Sequence, residues 1–193
     1  NIKELSELKP DFMGFIFYAK SKRFASTLDK KVLDEIPDST KKVGVFVNET
    51  IENIHKICKE YGFKYVQLHG DETVELCMKV KSLHYKVIKA FGIDGDFDFD
   101  MVNPFESVVD YFLFDTKTKG YGGSGQVYDW SVLGKYKGNV PYFLSGGIGE
   151  GNIENAFKFN DERMQVLDLN SKFEIEAGLK NIDLLRTKVF ARR

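Results

Sequence analysis

At 193 residues, with 42% hydrophobic and 30% charged residues, the chain has the make-up of a globule with a buried core and the length of one domain. Its 28 basic and 29 acidic residues leave a net charge of −1, which gives neither a field for nucleic acid nor a basic face for a membrane. No apolar run reaches the length of a membrane-spanning helix, and the opening Asn1-Ile2-Lys3-Glu4-Leu5 reads as an amphipathic helix rather than a leader.

The elements follow in order. Ile2, Leu5 and Leu8 share one helical face, and Pro10-Asp11 ends that helix. FMGFIF (12–17) is an apolar run of strand length, KKVLDEI (30–36) a helix, and VGVFV (43–47) the next strand. Asn48 or Thr50 caps a helix that runs to Tyr61, with Gly62 as its stop. YVQLH (65–69) is a strand, 72–83 a helix and KVIKAF (86–91) a strand. The acidic stretch 94–106 suits at most a short helix. VVDYFLF (108–114) holds a strand, and a long loop (115–129) leads to a short helix near Trp130. VPYFLS (140–145) is a strand, 152–159 a helix, MQVLDL (164–169) the last strand and 181–191 the last helix.

Strands and helices alternate, with strand centres roughly 20–30 residues apart, which predicts βαβ units on a parallel sheet. The strands are apolar throughout, so both faces are buried. The count is seven strands, with a helix at each end. It fits an open doubly wound sheet, or an eight-stranded α/β barrel whose first strand lies before Asn1. Cys58 and Cys77 fall in helical patterns without metal-ligand spacing. They read as reduced thiols, and the expected compartment is the cytoplasm.

In parallel α/β architectures ligands meet the carboxyl ends of the strands. The residues there are Tyr18 to Arg23, Asn48, His69-Gly70-Asp71, Phe91-Gly92, Asp115, Gly146-Gly147 and Asp168 to Ser171, a polar and glycine-rich ring. Gly146-Gly147 follows the seventh strand of an eight-strand count and Asn170-Ser171 the eighth. In barrels these two loops often hold a phosphate through backbone N–H groups. Asp115 is either a helix cap or ion-pair partner of Lys117 or Lys119, or a general acid. Desolvation under a closing loop favours the protonated form that an acid needs, while nearby lysines push the other way. Arg23 reads as a solvated basic turn or as a bidentate anchor for a substrate carboxylate. His69 reads as a structural histidine bonded to a loop carbonyl, or as a substrate contact. Trp130 is expected to pack beneath the Gly122–Gly125 loop.

Taken together, DFMGFIFYAKSKRF, KKVGVFVNE, VQLHGDE, DYFLFDTK…GGSGQVYDW, FLSGGI and DLNSKFE resemble the phosphoribosylanthranilate isomerase family, in order and across nearly the whole chain. The resemblance implies a (β/α)8 TIM barrel forming one catalytic domain over 1–193. It implies an intramolecular aldose–ketose isomerisation, an Amadori rearrangement of N-(5-phosphoribosyl)anthranilate in tryptophan biosynthesis, with no cofactor and no metal. It assigns Asp115 as general acid, Arg23 as the carboxylate anchor, and Gly146, Gly147, Asn170 and Ser171 as phosphate ligands. His69, Asp168, Gly122 and Gly123 join them as substrate-binding candidates. The partner is then the small phosphosugar–anthranilate substrate, bound by a monomer or homodimer. The family's general base is a cysteine on the first strand, expected upstream of Asn1, and Cys58 and Cys77 do not match it. Lys172 departs from the family's usual glycine and adds a cation near the phosphate or points to solvent. The competing readings are a pentose-phosphate epimerase, the next synthase of the same pathway, and a non-catalytic phosphosugar-binding barrel. The first lacks its metal-ligand set here, and the second its catalytic lysines and glutamate.

Overall fold

The structure, a computed structural model, describes residues 1–117 and 129–192. Helix α1 (Ile2–Glu7) leads into β1 (Phe12–Ile16). There follow α2 (Lys30–Asp34), β2 (Lys41–Phe46), α3 (Ile51–Tyr61), β3 (Tyr65–Leu68), α4 (Val74–Ser82), β4 (Lys86–Ile93) and a 3₁₀ segment, Phe99–Phe105. Then come β5 (Tyr111–Thr116), a 3₁₀ segment Trp130–Lys135, β6 (Tyr142–Leu144), α5 (Ile153–Lys158) and β7 (Met164–Leu167). A short 3₁₀ turn, Ser171–Phe173, precedes a hairpin of β8 (Glu174–Glu176) and β9 (Leu179–Lys180), and α6 (Ile182–Lys188) follows. The acidic stretch thus resolves as 3₁₀ helix. The hairpin is a feature that the apolar pattern did not reveal, because Glu174-Ile175-Glu176 has too little apolar content to read as a strand.

Strands β1 to β7 form one parallel sheet in sequence order, as the alternation of elements predicts. The sheet is curled. The Phe12 ring on β1 meets Tyr65 on β3, Tyr111 on β5 and Phe143 on β6, at ring separations of 5.5, 6.3 and 4.9 Å. A flat sheet cannot bring its first and sixth strands together. The inner face carries Val43, Val45, Ile88, Ala90, Leu113 and Phe143. The opposite faces of the same strands, including Phe46, Leu68, Val87, Phe112, Phe114 and Leu144, pack in the larger outer core with the helices. Continuous burial of both faces explains why these strands read as unbroken apolar runs.

Local chemistry sets the helix ends. Of the two candidate caps for α3, Thr50 is the one used: its hydroxyl accepts from Asn53 N, and Gly62 closes the helix at φ 71°. Thr73 caps α4 in the same way, so that helix starts two residues later than the pattern suggested. The cysteines are fully buried. Burial pushes the Cys58 thiol up to about 12 and Cys77 to about 11, which disfavours the thiolate that nucleophilic chemistry needs. Among the described residues no helix is long and apolar enough to cross a membrane.

At the amino ends of β6 and β7, Asp161 ties the strands together. Arg163 donates from Nε at 2.9 Å and Nη2 at 2.7 Å, and Tyr142 donates its hydroxyl at 2.9 Å. Arg163 Nη1 also reaches Tyr136 O at 2.7 Å. The Arg163 bonds hold the Asp161 carboxyl at about 2. A depressed carboxyl stabilises the fold above its unfolded value near 4 and loses that contribution as pH falls through its folded value. Asp161→Ala is therefore expected to cost about 2 kcal/mol at pH 7, a gap that closes as pH is lowered from about 4 to 2. Urea unfolding of both proteins across this range checks it; a gap independent of pH would refute the assignment.

Candidate active site

Strand periodicity decides which side chains enter the site. On β5, Leu113 faces the inner cluster, so Asp115, two residues on, faces inward too. On β3 the same parity carries Tyr65, Gln67 and then His69 inward. On β6 it carries Phe143 and then Ser145, and on β7 Val166 and then Asp168. The last case depends on a register shift between β6 and β7, which pairs Phe143 with Val166 rather than with Gln165. Without that shift Asp168 would turn away from Ser145.

These inward ends converge in one cleft of about 1910 Å³ that also holds Arg23, Gly146, Gly147, Asn170, Ser171, Glu174 and Lys180. It is larger than an ordinary ligand pocket, and its walls include the facing edges of β1 and β7. No strand among the described residues joins those two edges.

Asp115 is 9% exposed. Its Oδ1 accepts from Thr116 N at 2.8 Å, and its Oδ2 lies 3.5 Å from His69 Nε2. His69 Nδ1 is 2.8 Å from Gln67 Nε2. With the Gln67 amide donating there, the hydrogen on Nε2 faces Asp115. His69 thus takes a partner that neither sequence reading foresaw, a side-chain amide two residues back on the same face. Lys117, one of the two proposed ion-pair partners, turns instead to Asp94 at 2.7 Å; the other, Lys119, lies outside the described residues. Asp168 accepts from Ser145 Oγ at 3.0 Å. Withdrawal from solvent and the nearby Asp115 charge push its carboxyl up. Two carboxylates, one imidazole and one hydroxyl therefore share one wall.

Across the cleft Arg23 is not a solvated turn residue. Its Nε and Nη2 grip Glu174 at 2.9 and 2.6 Å, and Lys180 bonds the same carboxylate at 3.0 Å. Burial alone would raise Glu174, but the two cations override it and its carboxyl sits below the ordinary value. Lys180 is itself held below its usual value, chiefly by desolvation, and reaches on to Asn170 Oδ1 at 2.6 Å. Glu174 thereby links Arg23 to the Asn170 loop. It lies in the unforeseen hairpin, 151 residues from Arg23 in sequence; its one sequence signal is a carboxylate just past the Asn170-Ser171 turn.

The Gly146-Gly147 turn adopts φ 96° and 64°, values that favour glycine. A Cβ on Gly146 would strike Thr116 Oγ1 and come within 2.6 Å of Thr116 N and 3.1 Å of Asp115 Oδ1. Ser171 opens the 3₁₀ turn beside it. Lys172 is exposed, with its stem packed against Gly149. Trp130 is buried, with its ring edge-on to Phe159. Gly122 and Gly123, and the rest of the glycine loop, lie outside the described residues. Among the described residues no group of three or more His, Cys, Asp or Glu is placed to hold a metal.

A family model described as N-(5'phosphoribosyl)anthranilate (PRA) isomerase matches residues 1–191. An N-(5'-phosphoribosyl)anthranilate isomerase of Parabacteroides distasonis is 47% identical over 188 residues, covering 96% of this chain and 85% of that protein. One of Phocaeicola vulgatus is 41% identical over 181 residues, covering 94% and 86%. The crystal structure of phosphoribosyl anthranilate isomerase from Thermotoga maritima superposes with a TM-score of 0.84 at 34% identity, covering 97% of this chain and 90% of that one. A structure of such an isomerase in complex with reduced 1-(o-carboxyphenylamino)-1-deoxyribulose 5-phosphate gives 0.80 at 31%, covering 96% and 88%. These likenesses place the curled parallel sheet among TIM-type folds.

The tight turn at Gly146 yields a direct test. Gly146→Ala combines a left-handed backbone with a collision against the end of β5, and is expected to cost about 1–3 kcal/mol. Denaturant unfolding measures it, and an unchanged midpoint would mean that the turn has room to relax.

Proposed function

Because the chain belongs to the N-(5'-phosphoribosyl)anthranilate isomerase family, we propose that Asp115 is the general acid of its reaction. That reaction converts N-(5'-phosphoribosyl)anthranilate to 1-(2-carboxyphenylamino)-1-deoxyribulose 5-phosphate in tryptophan biosynthesis. The observation that carries the assignment is the setting of Asp115: a buried carboxylate on the inner row of β5, with the His69 imidazole against one oxygen.

Asp115 protonates the furanose ring oxygen. The bond from that oxygen to C1 then breaks as the anthranilate nitrogen forms an iminium with C1. Loss of the C2 proton to a base gives an enol-amine, which tautomerises to the ketone. Electrons move only within the substrate, so no external oxidant or reductant is required. His69 Nε2–H faces the carboxylate that Asp115 becomes, and a preorganised donor there favours the transfer.

Arg23 binds the anthranilate carboxylate. Glu174 holds its Nε and Nη2 edge and so orients the guanidinium in advance. Gly146, Gly147, Asn170 and Ser171 bind the phosphate, with Gly122 and Gly123 closing from the side and Asp168 contacting the sugar. The base is a cysteine on a strand upstream of Asn1. That strand fills the seam between β1 and β7 and closes an eight-stranded barrel that forms one domain. Two facing parallel edges in the wall of the cleft support this closure. So does the length of the relatives, of which the chain spans 85% and 86%. The enzyme acts in the cytoplasm as a monomer or homodimer.

Asp115→Asn is expected to lower kcat by about 10²–10⁴-fold while leaving the affinity for the reduced product analogue nearly intact. Arg23→Ala is expected to weaken that affinity by about 1.5–3 kcal/mol, the value of a charge-assisted hydrogen bond. Steady-state kinetics and a fluorescence titration separate the two effects. Full turnover by Asp115→Asn would sink the acid assignment.

A further inference from the structure

Behind the site lies an ion pair that this chemistry does not use. Lys89 has outward parity on β4, opposite to Ile88 and Ala90, and is 2% exposed. Its Nζ donates to Gly70 O at 2.7 Å, Ala90 O at 3.0 Å and Glu72 Oε2 at 3.0 Å, with Leu68 O at 3.4 Å. Glu72, itself buried, accepts from Asn48 N at 2.9 Å and from Gly70 N at 2.9 Å. Asn48 Oδ1 in turn accepts from Asp71 N at 2.7 Å. Gly70 is packed so closely that a Cβ would meet the Asn48 side chain and come within 2.9 Å of Asn48 N.

A buried pair of this kind returns little net stability, since apolar groups of equal volume often do as well. It does deliver geometry. Its bonds clamp the peptide groups on both sides of His69, at Leu68 and Gly70, and His69 N itself bonds Phe46 O at 2.8 Å. The backbone that carries the imidazole is thus tied to the ends of β2 and β3 and to the middle of β4. The imidazole ends 3.5 Å from Asp115 Oδ2.

We propose that Lys89 and Glu72 are positioning residues: the buried pair fixes His69 at the height and angle from which its imidazole supports Asp115. This rests on Asp115 being the general acid. Neither residue touches substrate. The other charged groups near the His69–Asp115 pair among the described residues are Asp168, which interacts with both, and Lys180, which interacts with Asp168; neither belongs to the Lys89–Glu72 pair.

The test is a mutant cycle in the full-length enzyme. Lys89→Met with Glu72→Gln removes both charges together and strands neither. It is expected to lower kcat at least about ten-fold, with KM and the affinity for the reduced product analogue within about three-fold. The same double change made on top of His69→Ala is expected to add almost nothing, because the pair acts through the imidazole. Equal losses with and without His69 would overturn the proposal, as would a loss confined to KM. Should the double variant fail to fold, Glu72→Asp keeps both charges, retracts the carboxylate by one methylene and is read in the same cycle. Asp115→Asn is the control. If it keeps turnover, the acid assignment falls and this inference with it. If it loses turnover while the cycle shows equal losses, only the inference falls.

Discussion

The constraint on which the rest depends is the two-residue repeat of a strand on a sheet that curls. Once Phe12 packs against Phe143, every strand has one face that must lie inside and one that must meet the helices. The apolar residues satisfy both faces for most of each strand. At the carboxyl ends the inner rows run out of core to fill, and there the chain places His69, Asp115, Ser145 and Asp168. A shift of one residue in any of these strands would send its polar terminus into the helix layer, where a carboxylate without partners costs several kcal/mol. Core packing therefore aims the site.

The same rule separates two kinds of buried charge. Asp115 near the carboxyl end of β5 and Lys89 in the middle of β4 are both nearly inaccessible. Parity sends Asp115 into the cleft and Lys89 out of it. Lys89 then needs a partner within the outer layer, and Glu72 supplies it at 3.0 Å. Glu174 does comparable work on the other wall, where a single carboxylate gathers Arg23 and Lys180. Each wall of the site thus has a buried carboxylate–cation contact that sets backbone or guanidinium geometry.

Much of this was legible in the sequence. The seven strands and their order follow from apolar runs bounded by loops, and Gly62 and Thr50 mark α3 by their own chemistry. That Asp115, His69, Asp168 and the Gly146 turn would meet in one cleft follows from their shared place at strand ends. The bonds between them were not legible. The Arg23–Glu174 pair joins a loop after β1 to a hairpin after β7, and no local pattern announces a contact across 151 residues. The inward face of Asp168 depends on the register shift at Tyr142 and Phe143, and a register shift leaves no trace in composition. Lys117 illustrates the opposite error: its nearness in sequence to Asp115 suggested a pair, yet the strand directs it to Asp94.

The two carboxylates of the inner wall show how one fold can give similar groups different work. Asp168 is pushed up by its surroundings and by the charge of Asp115, and a hydroxyl from Ser145 is its hydrogen-bond partner. Asp115 has a backbone amide on one oxygen and an imidazole facing the other. The two carboxylates thus differ in their partners, while Arg23 and Lys180 across the cleft are both bound to Glu174. The His69 imidazole is the side chain that faces Asp115 Oδ2. Under the proposed mechanism it is this placement, more than the burial of the aspartate alone, that would set Asp115 apart from a carboxyl that merely caps a strand.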